Sequence, residues 1–199
     1  MHHRRTLYAK SSEIAKGTFH MSLDAEPINP NCPTVIRTVT IGGLTKTELL
    51  EQLHNQAVSL NASADKLFAS DCFTTAHTRY SVTTVELTVR DLGFPDGATS
   101  AEMYARAKTL GLAPCTLELA PHLRLQYLDQ PEGYWGQPVR QHQAPSGSIT
   151  IASEALTQDD DVPKGFYLRR IKGELWLRGY RAGANHVWDA DDHLLFCRP

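Results

Sequence analysis

The sequence predicts an α+β fold: a mainly antiparallel, mixed sheet with helices packed on one face and a small helical annex on its N-terminal side. Three observations carry that expectation. Two T-x-x-E capping boxes, Thr45 to Glu48 and Thr99 to Glu102, each open a segment whose apolar residues recur at helical spacing. Period-two alternation appears from residue 83 onward and dominates the second half of the chain. Near the C-terminus two strand-like runs, Phe166 to Ile171 and Glu174 to Tyr180, are separated by Lys172 and Gly173 alone, and so short a connection sets a hairpin register.

Residues 1–33 read as a mobile tail, because Pro27, Pro30 and Pro33 interrupt a stretch with no core pattern. In the first twenty residues Arg4, Arg5, Lys10 and Lys16 face a single acid, Glu13, but the apolar segment of a secretory signal is missing, so the cytoplasm is the expected compartment. Met21 is an alternative start. Residues 34–80 are expected to form the helical annex and residues 81–199 the α+β domain with its C-terminal hairpin.

Val35, Ile36, Val39 and Ile41 predict a short strand closed by Gly42 and Gly43. The first capping box then starts a helix with its seam at Leu49, Leu50, Leu53 and Ala57, and Asn61 caps a second helix through Ala64, Leu67 and Phe68. Leu44 to Leu49 with Lys66 and Leu67 is similar to the helix-extended-helix of SAP modules, over about a tenth of the chain. A DNA-reading helix needs arginines or lysines toward phosphates and bases; only Lys66 is offered, so a structural helical pair is expected.

From Thr83 to Arg90, Val85, Leu87 and Val89 alternate with Thr84, Glu86, Thr88 and Arg90, the pattern of a half-exposed strand. The second capping box opens a helix with Met103, Ala107 and Leu110 buried and Gly111 as its stop. With Cys115 to Leu119 as a further strand, this suggests a β-α-β unit, although no glycine-rich phosphate loop precedes the helix. Alternation resumes at Leu123, Leu125 and Tyr127 against His122, Arg124 and Gln126, and predicts another strand after the break at Pro121. Residues 129–147 show neither periodicity; such a length without structure marks a binding loop, lid or linker. Ser148 to Ala152 and His193 to Cys197 read as strands, and Thr157 to Pro163 as an acidic loop.

Composition excludes several classes. At 199 residues with 41% hydrophobic side chains the chain can bury a core without disulfides or structural metal, and its apolar runs are too short to span a bilayer. Twenty basic against 22 acidic residues leave a formal charge of −2, so any anion site must be a local patch rather than a bulk field. The four cysteines, at 32, 72, 115 and 197, lack metal-knuckle or dithiol spacing and read as separate thiols. Cys115 and Cys197 lie in apolar stretches and are expected to be buried and inert.

Two constellations carry chemistry. In the hairpin register Arg169 faces Trp176 and Tyr167 faces Arg178, with Tyr180 continuing the same face, while Phe166, Leu168, Leu175 and Leu177 form the core face. Guanidinium groups beside aromatic rings can hold a phosphate or carboxylate and a flat group together; equally, such cross-strand pairs stabilise an exposed sheet with no ligand. On a strand, His122 and Arg124 share a face about 7 Å apart, placing an acid or base beside an anion-stabilising group, with Glu132, Tyr134 or Trp135 able to close over them. The alternative is a polar sheet edge. His186, Asp189 and His193 have no metal-motif spacing, so neither a metal site nor a cofactor is expected.

The segments Val85 to Phe94 and His122 to Tyr134 resemble bacterial protein families of uncharacterised function. The resemblance implies a bacterial source and carries no catalytic residue. Two functions are therefore expected on the residues alone: a protein binding an anionic small molecule or short nucleic-acid segment through Tyr134, Trp135, Tyr167, Arg169, Trp176, Arg178 and Tyr180, or a phosphoester-acting enzyme using His122 and Arg124. Oligomeric state is left open.

Overall fold

The computed structural model describes residues 34–134 and 145–199; the expected tail, Trp135 and the middle of the 129–147 segment lie outside the described residues. The elements in chain order are β1 (Val35–Ile41), α1 (Lys46–Asn55), β2 (Ser59–Leu60), α2 (Ala62–Ala69), β3 (Tyr80–Thr88), β4 (Ala98–Thr99), α3 (Ser100–Thr109), α4 (Leu119–Gln126), β5 (Ile149–Ile151), β6 (Gly165–Ile171), β7 (Glu174–Tyr180), β8 (Val187–Trp188) and β9 (His193–Arg198). Seven strands make one sheet in the order β1-β3-β9-β5-β6-β7-β2, and β4 pairs with β8 separately. Within the large sheet β2–β7 and β5–β9 are parallel and the other pairs antiparallel. The fold is α+β with a mainly antiparallel, mixed sheet.

Both capping boxes form as their sequences dictate. The Thr45 and Thr99 hydroxyls accept the amides of Glu48 and Glu102, whose carboxylates accept the cap amides in return. Asn61 caps α2 by accepting the Ala64 amide at 3.0 Å, and its side chain also brackets Gly179 in β7, accepting its N–H at 2.8 Å and donating to its carbonyl at 3.0 Å. One side chain thus starts a helix and pins it to the sheet. Gly179 is required at that contact, since a Cβ there would sit 2.5 Å from the Ser63 carbonyl carbon.

The helical pair packs into the core, and it is no annex. The extended link between its helices is β2, which pairs with Trp176 and Leu177 of β7, while β1 forms the opposite edge of the sheet. Residues 34–80 therefore share one sheet and one core with the remainder. On one sheet face Val39, Ile41, Ile149, Ile151, Phe166, Leu168, Leu177 and Leu195 pack with Leu49 and Leu53 of α1, Leu67 and Phe68 of α2, and Leu119 and Leu123 of α4. Helices are not confined to that face, because Met103 and Ala107 of α3 cover Val85, Leu87, Leu194 and Phe196 on the other.

Three expectations on strands are corrected. Leu119–Gln126 is a helix, because Leu119 and Leu123 stand one turn apart and Pro121 lies in the first turn, where a missing N–H leaves no hydrogen bond unmade. All six residues from Leu119 to Arg124 are buried, and a helix enclosed on every side shows no amphipathic stripe to betray its period. Cys115 forms only an isolated bridge to Ser153, so the β-α-β unit does not exist. Finally, β3 is buried on both faces at Thr84, Val85, Glu86 and Leu87, where a half-exposed strand was expected.

Candidate functional site

The hairpin register matches expectation pair for pair: Tyr167 opposes Arg178, Arg169 opposes Trp176 and Ile171 opposes Glu174, with Lys172 and Gly173 in the turn. Both turn residues have positive φ, 54° and 77°, as a two-residue connection requires. Trp176 lies against two cations. The Arg169 guanidinium lies 5.3 Å from its ring centre and that of Arg178 lies 5.1 Å away. Only 9% of Arg169 is exposed, whereas Tyr167, Trp176 and Arg178 are half-buried. Burial lowers the Arg169 pKa; the Tyr167 and Glu174 charges act against the shift and the positive Arg178 adds to it. Arg178 Nε is buried without a hydrogen-bond partner among the described residues.

Tyr180 does not belong to this group. Its ring packs edge-on against Trp188 at 5.4 Å under α3, and burial drives its hydroxyl pKa far above the ordinary range. Tyr134 is 67% exposed where the long segment leaves the sheet, its backbone paired with Ser146. Glu132 beside it accepts the Gly173 amide of the hairpin turn and approaches Arg170 at 3.6 Å. Trp135 lies outside the described residues.

His122 and Arg124 are not presented together, because residues two apart on a helix project about 200° from one another. His122 is 5% exposed, and its Nε2 accepts the Gly42 amide at 3.1 Å, which holds the neutral ring against the turn after β1. Burial, then the nearby Arg79 charge, lowers its pKa. Arg124 is fully buried, donating to Gln130 Oε1 at 2.5 Å and to the Tyr127 carbonyl; burial lowers its pKa to about 10. Both side chains brace α4, and the shared face on which their catalytic pairing rested is absent.

A polar row that sequence reasoning missed crosses the same sheet face. Glu86 of β3 receives Arg37 of β1 at 2.5 Å and His193 Nδ1 of β9 at 2.8 Å. Burial raises the Glu86 pKa, but the two donors outweigh it and leave the group below its ordinary value. Hydrogen bonding to Glu86 raises that of His193. Only the charge of Glu86 on an alternating strand hinted at this row, since its partners lie 49 and 107 residues away. His186 stacks edge-on to Trp188, apart from this row. Among the described residues no three histidine, cysteine or carboxylate groups converge as metal ligands.

The larger cavity, about 540 Å³, lies elsewhere, between the 72–76 loop and the segment before α4. Cys72, Cys115, Thr116, Glu118 and Glu154 contribute its polar lining, and Glu118 is itself buried, accepting the Ala76 amide at 2.9 Å. A smaller cavity of about 150 Å³ lies beside Tyr104, Lys164 and Tyr180.

Comparison of the chain with protein-family models, with curated proteins and with solved structures found no match. No helix of the described residues is long and apolar enough to cross a membrane.

Proposed function

We propose that this chain is a cytoplasmic binding protein for an anionic ligand, a phosphate-bearing small molecule or a short nucleic-acid segment, held by Tyr167, Trp176 and Arg178 with Arg169 behind them. The observation that carries the reading is the pair of guanidinium groups held about 5 Å from one indole. Two like charges kept close in a partly desolvated setting repel, and an anion reaching both relieves that repulsion while meeting charge-assisted donors. Both guanidinium groups lie over the indole, so recognition falls to their edges and the Tyr167 hydroxyl rather than to stacking of a base on Trp176. The large cavity suits an anion less well, since its charged lining is Glu118 and Glu154.

Titration calorimetry with pyrophosphate, ATP and a short single-stranded oligonucleotide tests this. At least one probe should bind, with affinity falling as salt rises from 50 to 200 mM, because charge contacts are screened and counterions released. Arg178→Ala and Trp176→Ala should each weaken that binding about tenfold or more, a loss of ~1.4 kcal/mol. Binding that ignores both substitutions, or none by any probe at millimolar concentration, overturns the reading.

A further inference from the structure

The backbone brings two cysteines separated by 82 positions to one place. Ala113 and Cys197 exchange both backbone hydrogen bonds, each at 2.9 Å, while two residues on the Cys115 amide donates to the Ala152 carbonyl and the Ala152 amide donates to that of Leu195, two residues before Cys197. The Cys115 Sγ lies 3.5 Å from the Leu195 carbonyl oxygen. Cys115 is buried yet lines the large cavity, and Cys197 is half-buried at the end of β9.

We propose that Cys115 and Cys197 form a reversible thiol–disulfide pair, oxidised by a hydroperoxide, with Cys197 as the attacking thiol and Cys115 as the resolving one. The roles follow from the setting. Cys197 is the more exposed, and its interaction with the Cys115 thiol lowers its pKa. The same interaction and then burial raise that of Cys115, which keeps its proton until attack. In the first step the Cys197 thiolate attacks one oxygen of the hydroperoxide; an S–O bond forms, the O–O bond breaks, and the departing oxygen leaves as an alcohol after taking a proton. In the second, Cys115 sulfur attacks Cys197 sulfur; the S–S bond forms, the S–O bond breaks, and hydroxide leaves as water with the Cys115 proton. Two thiols are oxidised by two electrons and the peroxide is reduced.

A disulfide requires Cα atoms less than about 7 Å apart, and because the Cys115 amide is held by Ala152 rather than by β9, closure draws residues 113–115 toward Cys197. This segment carries Pro114 and Cys115, both part of the cavity wall, so oxidation reshapes the cavity.

The test uses the full chain with Cys32→Ser and Cys72→Ser, which leaves these two as the remaining cysteines of four. Hydrogen peroxide should remove two hydrogens from the intact mass, dithiothreitol should restore them, and a digest should yield a crosslinked peptide containing both residues. Adding Cys115→Ser should leave a sulfenic acid on Cys197 that dimedone traps, while adding Cys197→Ser should slow thiol loss at least tenfold. Circular dichroism establishes that each variant folds, and differential alkylation of the unaltered chain before and after peroxide gives the same readout without substitution. Both thiols remaining alkylatable after peroxide, a disulfide only between molecules, or sulfenic acid forming first on Cys115 overturns the proposal.

Discussion

Glu86 is the side chain whose surroundings most change its meaning. On a half-exposed strand it would be a solvated carboxylate; in the fold it is 8% exposed and holds Arg37 and His193 together across three strands. Opposite signs follow for its two titrations. The His193 pKa is raised, so its contribution to stability is complete below about pH 6.5 and is lost as pH climbs through the higher folded value. The Glu86 pKa is lowered, so its contribution is complete above the ordinary 4.5 and is lost as pH falls through the lower folded value. Asp192, raised to about 6 by burial, adds to the His193 loss just above pH 6.5 and His122, lowered, opposes it there, so the His193 share is read as the difference between the unaltered chain and Glu86→Gln. Melting temperature should therefore decline from pH 6.5 to 8, and Glu86→Gln should flatten that decline while costing about 1–3 kcal/mol at pH 6 through the Arg37 charge left without its carboxylate. An unaltered chain whose melting temperature is level across that interval would refute the coupling.

Local capping chemistry is what makes α1, α2 and α3 readable, since each begins with a side chain that satisfies its own helix amides within three residues. Tertiary use of the same residue is visible only at Asn61. Asn61→Ala should destabilise by about 2 kcal/mol, above the cost of losing an ordinary cap, because the Gly179 N–H and carbonyl lose their partner as well. Asn61→Asp keeps the acceptor for the Ala64 and Gly179 amides and should recover part of that loss. Gly179→Ala should cost about 1–3 kcal/mol by forcing α2 off β7, where backbone rather than a flexible side chain blocks the added carbon. Denaturant melts of the three variants measure these differences; an Asn61→Ala loss no greater than that of Thr45→Ala would mean that the bracket adds nothing. The element that misled was α4. Its alternating polar residues turned out to be His122 receiving an amide and Arg124 enclosed by Gln130 and Tyr127, interactions that no local pattern records.

Across the whole molecule, the two core clusters lie on opposite faces of the seven-stranded sheet, and the β6–β7 hairpin contributes to both. Leu168 and Leu177 are completely buried beneath the helices, while Leu175 nearer the turn is only half-buried, less than its alternation suggests. Leu177→Ala should therefore cost about 2–5 kcal/mol and lower the melting temperature clearly; Leu175→Ala should cost less than half as much. Equal losses at the two positions would show that the hairpin is packed differently from the register described.

The α+β class, three of the four helices among the described residues and the β6–β7 pairing were legible in the sequence because caps, alternation and two-residue turns act over a few positions of chain. The Tyr167–Arg169–Trp176–Arg178 group belongs with them, since a hairpin register follows from its turn. Strand order, the helical state of residues 119–126, the Arg37–Glu86–His193 row and the meeting of Cys115 with Cys197 depend on contacts between residues far apart in the chain. Such contacts form when buried side chains find partners in the folded core, and their cost and gain leave no periodic trace in the sequence.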